Sequence, residues 1–118
     1  LTKKVESLKH AGEFRRAYKK GSFAVTKNLV VYIVDNGTEN NKLGVSVKKN
    51  IGKSVKRNRI KRLIKENFRV IGSELKLGYD IVFVVRKNYD NQASFQDIKR
   101  AMEYMFKKLD MYKTGKSK

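Results

Sequence analysis

Ser54-Val55-Lys56-Arg57-Asn58-Arg59-Ile60-Lys61-Arg62-Leu63-Ile64-Lys65-Glu66-Asn67-Phe68-Arg69-Val70-Ile71 is the stretch that decides the fold. Ile60, Leu63, Ile64, Phe68 and Ile71 recur at a 3.6-residue period, so the segment winds as a helix with one apolar side. Just before it, Leu43, Val45 and Val47 alternate with Gly44, Ser46 and Lys48, the period of a strand buried on one face. Beyond it, Gly78 opens a strand over Tyr79 to Arg86, with Ile81, Phe83 and Val85 on one face and Val82 and Val84 on the other. A strand apolar on both faces belongs at the centre of a sheet. Strand, long helix and strand form a βαβ unit whose two strands can lie parallel.

Outward from this unit, Ala11 to Lys20 predicts a short helix through Ala11, Phe14, Ala17 and Tyr18, with Gly21 placed to end it. Phe23 to Val34 predicts one buried strand. Asp35, Asn36, Gly37, Asn40 and Asn41 signal a hairpin loop to the strand at Leu43. Ser94 and Asp97 form a capping box for a last helix packed through Phe95, Ile98, Met102, Met105, Phe106 and Leu109. The expected class is α+β, a small α/β sandwich in the order α–β–β–α–β–α with helices on one sheet face. One domain over 1–118 is expected, with a frayed basic tail at 113–118.

Charge bounds the function. The 118 residues carry 29 Lys+Arg against 11 Asp+Glu, a formal net charge of +18. Such an excess repels itself in a compact state and points to a polyanionic partner, nucleic acid before an anionic membrane. No apolar run approaches the roughly 20 residues of a membrane span. With no Cys and one His, disulfides, thiolate nucleophiles and His-cluster metal sites are excluded. His10 is expected as a solvent residue in a frayed basic stretch. The acids are scattered, so no two-metal nuclease site is expected. The cytoplasm is the expected location.

Between Lys48 and Arg69 stand ten Lys/Arg residues and one acid, Glu66. Asn58, Arg62, Lys65 and Arg69 fall at i, i+4, i+7 and i+11, one stripe opposite the apolar side. Solvated helix faces normally mix Glu with Lys, so a row of cations without acids predicts an anionic partner. Lys48, Lys49 and Lys53 add charge before the helix, where free N–H groups also favour phosphate. Periodicity places Phe14 and Tyr18 as core anchors. Stacking platforms for unpaired bases are the alternative, and Tyr32 fits either role.

The run from Lys49 to Phe68 resembles the signature of the bacterial ribonuclease P protein subunit: Lys49, Gly52 three residues on, Val55, Arg57-Asn58, then Lys61-Arg62. Glu13-Phe14, Tyr18, Lys20-Gly21, Phe23 to Tyr32, Leu43 to Lys48 and Gly78 to Arg86 resemble the family's remaining elements. Thr26 departs from it, since many members carry Asn there. The resemblance implies a left-handed βαβ crossover, against the general right-handed preference. It implies binding of the ribonuclease P RNA through Arg57, Asn58, Arg59, Lys61, Arg62 and Lys65. A cleft for the 5′ leader of precursor tRNA would be lined by Phe14, Tyr18, Val30, Tyr32, Ser46, Lys48 and Arg86. Catalysis would then rest with the RNA subunit and Mg²⁺. The chain would be an accessory subunit with no catalytic residue, no metal site and no small-molecule substrate of its own. A general structured-RNA or ribosome-associated protein is the alternative. A DNA reader using Ser54 to Ile71 would need a helix where the strand at Leu43 stands.

Overall fold

The computed structural model describes residues 5–113. Most of the expected tail, 114–118, lies outside the described residues. The elements are β1 (Glu6–Ser7), α1 (Ala11–Lys20), β2 (Ser22–Val25), β3 (Leu29–Asp35), β4 (Lys42–Ser46), α2 (Ser54–Ile71), β5 (Tyr79–Val85) and α3 (Phe95–Lys108). Short 3₁₀ turns at Lys49–Ile51 and Gly72–Glu74 flank α2. The expected α+β class and order hold, with two corrections to the strands. The apolar run expected as one strand from Phe23 is two, β2 and β3, folded antiparallel with Phe23 opposite Tyr32. Thr26 makes that fold: its backbone N–H and its hydroxyl both meet the Leu29 carbonyl. The two-residue β1 is too short to leave a periodic signal.

The five strands form one sheet in the order β1-β4-β5-β3-β2. The loop after Asp35 is therefore not a hairpin, because β5 lies between β3 and β4. β5 pairs antiparallel with β3 over seven residues and parallel with β4 over five. Asn36 and Arg86 donate backbone N–H bonds to the carbonyls of Gly78 and Asn28. Even-numbered residues of β5 thus aim their backbone groups at β3, and odd-numbered ones at β4. For L-residues, a strand running upward with Ile81, Phe83 and Val85 toward the viewer then has β4 on its right. α2 covers that same face. The chain therefore passes from β4 leftward through α2 to β5, a left-handed crossover, as the resemblance implied.

Helices lie on both faces of the sheet, not on one. The larger core joins Leu29, Val31, Ile33, Leu43, Ile81, Phe83 and Val85 to Ile60, Ile64, Phe68 and Ile71 of α2 and to Ile98, Met102, Met105 and Phe106 of α3. Phe106 is its hub, with ring centroids 5.9 Å from Phe83 and 6.5 Å from Phe68, in tilted and edge-on contacts favoured by ring quadrupoles. Asn67, fully buried, ties α2 to α3 by donating from Nδ2 to the carbonyls of Leu63 (3.2 Å) and Phe95 (3.3 Å). On the opposite face α1 packs Ala17 and Phe14 over Val82, Leu8 and Val34.

α1 starts where His10 and Lys9 donate backbone N–H bonds to the Glu13 carboxylate, both 3.1 Å. These bonds hold the Glu13 carboxyl below the ordinary carboxylate range. His10 is thus the N-cap of a helix rather than part of a frayed stretch, although its side chain is exposed. α1 ends at Gly21, which has an ordinary φ of −78° and not the left-handed turn common at helix ends. Glycine is required there by close approach: a Cβ would lie 2.5 Å from the Ala17 carbonyl oxygen and 2.8 Å from that of Ile33. Gly44 is crowded differently, by the tips of Phe14 (2.8 Å) and Leu8 (2.9 Å). Gly21→Ala is expected to destabilise by about 1–3 kcal/mol, the scale of overpacking against atoms that cannot move aside. Gly44→Ala, meeting side-chain tips, should cost less. Urea unfolding of both variants checks the order, and an unperturbed Gly21→Ala would refute it.

Candidate nucleic-acid interface

α2 presents the expected stripe. Asn58, Arg62, Lys65 and Arg69 are all exposed, and the apolar side opposite them is buried in the core. Their flanking cations diverge. Arg57 is half-buried and turned back on the preceding loop, its Nε donating to the Gly52 carbonyl at 3.0 Å. That bond fixes the guanidinium beside the helix start and leaves its other donors free. Lys61 is half-buried on the same flank. Arg59 is exposed on the opposite flank, next to Tyr89. Lys53, the exposed N-cap residue, makes no side-chain cap bond, and Lys49 is exposed on the 3₁₀ turn.

Among the described residues the ion pairs are Lys42–Glu13 (3.6 Å), Lys76–Asp110 (3.3 Å) and Arg100–Asp97 (2.8 Å). None involves α2 or the loop before it. Glu66, the one acid on the helix, pairs with none of its neighbours. Among the described residues no carboxylate stands within 4.0 Å of the cations from Lys48 to Arg69, and their mutual repulsion is relieved chiefly by solvent or by an outside anion.

The second surface is the sheet face under α1. Register places two rows across it. One is Phe23–Tyr32–Val82–Gly44, and the other is Val25–Val30–Val84–Ser46. α1 lies on the first row and buries Val82 completely. The second row stays partly open: Val30, Val84 and Ser46 are half-exposed and Val25 is exposed. This is a shallow floor of small and β-branched side chains.

Aromatic rings stand along one side of that floor. Tyr18 is 41% exposed and meets Tyr32 edge-on, with centroids 5.1 Å apart. Phe23 is 59% exposed and lies 5.8 Å from Tyr32 on the other side. Phe14 is half-buried, its ring pressed on Gly44, so it supports the wall more than it offers a free face. At the far end Lys48, Val84 and Arg86 line a recess of 540 Å³. Arg86 is steadied there by donating from Nη1 to the Thr26 carbonyl at 2.8 Å. The structure thus brings Tyr18, Val30, Tyr32, Ser46, Lys48 and Arg86 to one face.

Phe23, Val25 and Val84 belong to the same face and were not singled out from the sequence. The alternation of β5 carries the signal for Val84. A single strand through Phe23 would put Phe23 and Val25 on the face opposite Val30 and Tyr32, and only the antiparallel fold of β2 on β3 brings all four to one face. The position of Arg59 was also hidden, since a helical projection gives its angle but not the loop that comes to meet it.

The family model for ribonuclease P matches residues 2–110. A ribonuclease P protein component from Caldanaerobacter subterraneus is 42% identical over 112 residues, 95% of this chain and 96% of that protein. Among solved structures, the Staphylococcus aureus RNase P protein superposes with a TM-score of 0.82 at 33% identity, covering 93% of this chain and 100% of that one. The Thermotoga maritima RNase P protein gives 0.74 at 28% identity, covering 82% and 91%. Sequence and fold agree over nearly the whole length, and on that agreement the chain belongs to the ribonuclease P protein family.

Proposed function

We propose that α2 and its preceding loop bind the ribonuclease P RNA, and that the open sheet face holds the single-stranded 5′ leader of precursor tRNA. Family membership makes the chain the protein component of an endoribonuclease of tRNA processing, with an RNA partner. The division of contacts between the two surfaces is the further step. The observation that carries it is the row of exposed cations on α2 with no acidic partner among the described residues.

Each surface suits a different form of RNA. The stripe of Asn58, Arg62, Lys65 and Arg69 is convex and cationic. It meets phosphates where RNA segments converge, and binding releases their counterions. The sheet face is a shallow trough with aromatic rings on one side and Lys48 and Arg86 at one end. An unpaired strand can lay its bases on Tyr18, Tyr32 and Phe23 and its phosphates near those cations, with little base reading. Two surfaces on one rigid domain hold the leader at a fixed place relative to the catalytic RNA. That converts binding energy into positioning of the scissile bond.

In this reading hydrolysis of that phosphodiester is the work of the RNA and Mg²⁺. Among the described residues no three His, Cys, Asp or Glu side chains gather, which supports leaving the ion to the RNA. No step is assigned to a protein-bound ion. No helix among the described residues is long and apolar enough to cross a membrane. The cytoplasm is the proposed setting.

Cleavage of a 5′-labelled precursor tRNA by ribonuclease P RNA at low Mg²⁺ is expected to rise strongly when the protein is added. An unrelated protein of equal charge should have little effect, and equal stimulation by both would sink the reading. Arg62→Ala and Lys65→Ala are each expected to reduce the slope of log K against log salt by about 0.7–0.9 per lost phosphate contact. Filter binding over a salt series reads this, and unchanged slopes would make the stripe plain solvated surface. Tyr18→Ala is expected to weaken binding of precursor with a leader by about 1–3 kcal/mol, while leaderless tRNA binds as before. Equal losses on both substrates would remove Tyr18 from the trough.

A further inference from the structure

We propose that a recess between α2 and the loop before α3 takes one unpaired nucleotide of the RNA bound by α2, its base against Tyr89 and its phosphate on Lys56 and Arg59. This inference rests on the RNA-binding reading of α2 and adds to it a single-nucleotide site away from the stripe and from the leader trough.

The recess has a volume of 190 Å³ and is lined by Lys56, Arg59, Ile60, Leu63, Tyr89 and Ala93, with Asn91 at its mouth. Sites for drug-sized ligands run to roughly 300–1,000 Å³, so this one suits a single flat ring system. Its walls are apolar and its rim is cationic, the division a nucleotide presents between base and phosphate. Tyr89 is half-buried, packed against the main core, and its backbone N–H is fixed on the Arg86 carbonyl at 3.0 Å. A ring held in this way loses little freedom on stacking. Burial raises the pKa of its hydroxyl, with the Arg59 charge opposing the shift, so the phenol is a neutral donor at physiological pH. The Asn91 amide adds a donor and an acceptor for a base edge.

Helix geometry explains why the site is separate. Arg59 is turned by roughly 100° from Asn58, the angle per residue of an α-helix. It therefore serves a different direction from the stripe. Among the described residues neither Arg59 nor Lys56 has an acidic partner. Splayed, unpaired bases stacked on aromatic side chains are the usual way in which proteins hold particular RNA positions. A recess continuous with a cationic helix is where such a base would enter.

The test uses base-reactive chemical probing of ribonuclease P RNA saturated with the protein. The wild type is expected to protect one unpaired base that Ala93→Leu, which fills the recess without changing charge, leaves reactive. RNA affinity should fall about 5–150-fold, the range for one stacked base. Tyr89→Leu keeps an apolar side chain in the core but removes the flat ring, and should give the same loss. Melting temperatures establish that each variant is folded. Wild-type affinity in both folded variants, or a wild-type complex with no single-base protection, overturns the proposal. If Arg62→Ala weakens binding while the recess variants do not, the recess site alone falls. If the wild type binds no RNA, the reading of α2 falls with it.

Discussion

Insertion of β5 between β3 and β4 is the constraint on which the rest depends. Its backbone pairs on both edges, and its side chains are covered on both faces, Val82 under α1 and Ile81, Phe83 and Val85 under α2 and α3. Because β4 and β5 run parallel, the chain between them must cross a face of the sheet, and α2 is that crossing. Ile60, Ile64, Phe68 and Ile71 must then point inward, which leaves the outward positions to Asn58, Arg62, Lys65 and Arg69. The cationic surface is therefore a by-product of the same helix phase that completes the core.

The opposite face shows what a short helix leaves undone. α1 has ten residues, about 15 Å of helix. It covers the row through Tyr32, Val82 and Gly44 and stops short of the row through Val30, Val84 and Ser46. The close fit over Gly44 and Gly21 fixes its position, so the trough is bounded by a wall that does not swing away. Half-exposed valines and two exposed aromatics on one sheet face would be a liability in a chain with no partner for them. In the proposed reading, in which this face holds single-stranded RNA, they form a floor and a stacking rail.

Electrostatics and packing pull in different directions here. The formal charge of +18 opposes compaction, and the three described ion pairs do little against it: two join a partner at least about half exposed, and all three lie away from the basic helix. The compact state is carried by the aromatic and aliphatic core around Phe83 and Phe106. In the proposed reading RNA supplies the missing negative charge, so the same cations that oppose compaction of the free protein strengthen the complex.

The sequence by itself determined the bounds of α1 and α2, the central place of β5, the stripe on α2 and, by resemblance, the family and the hand of the crossover. These follow from local periodicity and from a dense motif, and both survive in one dimension. Only the tertiary structure decided that Phe23 to Val34 is two strands, that the loop after Asp35 joins strands separated by β5, and that α1 lies on the face opposite α2. It also decided that Phe23 and Val84 share a trough with Tyr32, and that Arg59 meets Tyr89 across a recess. Strand order, register and the choice of face are set by contacts between residues far apart in the chain. No spacing within a segment encodes which distant segment will pair with it.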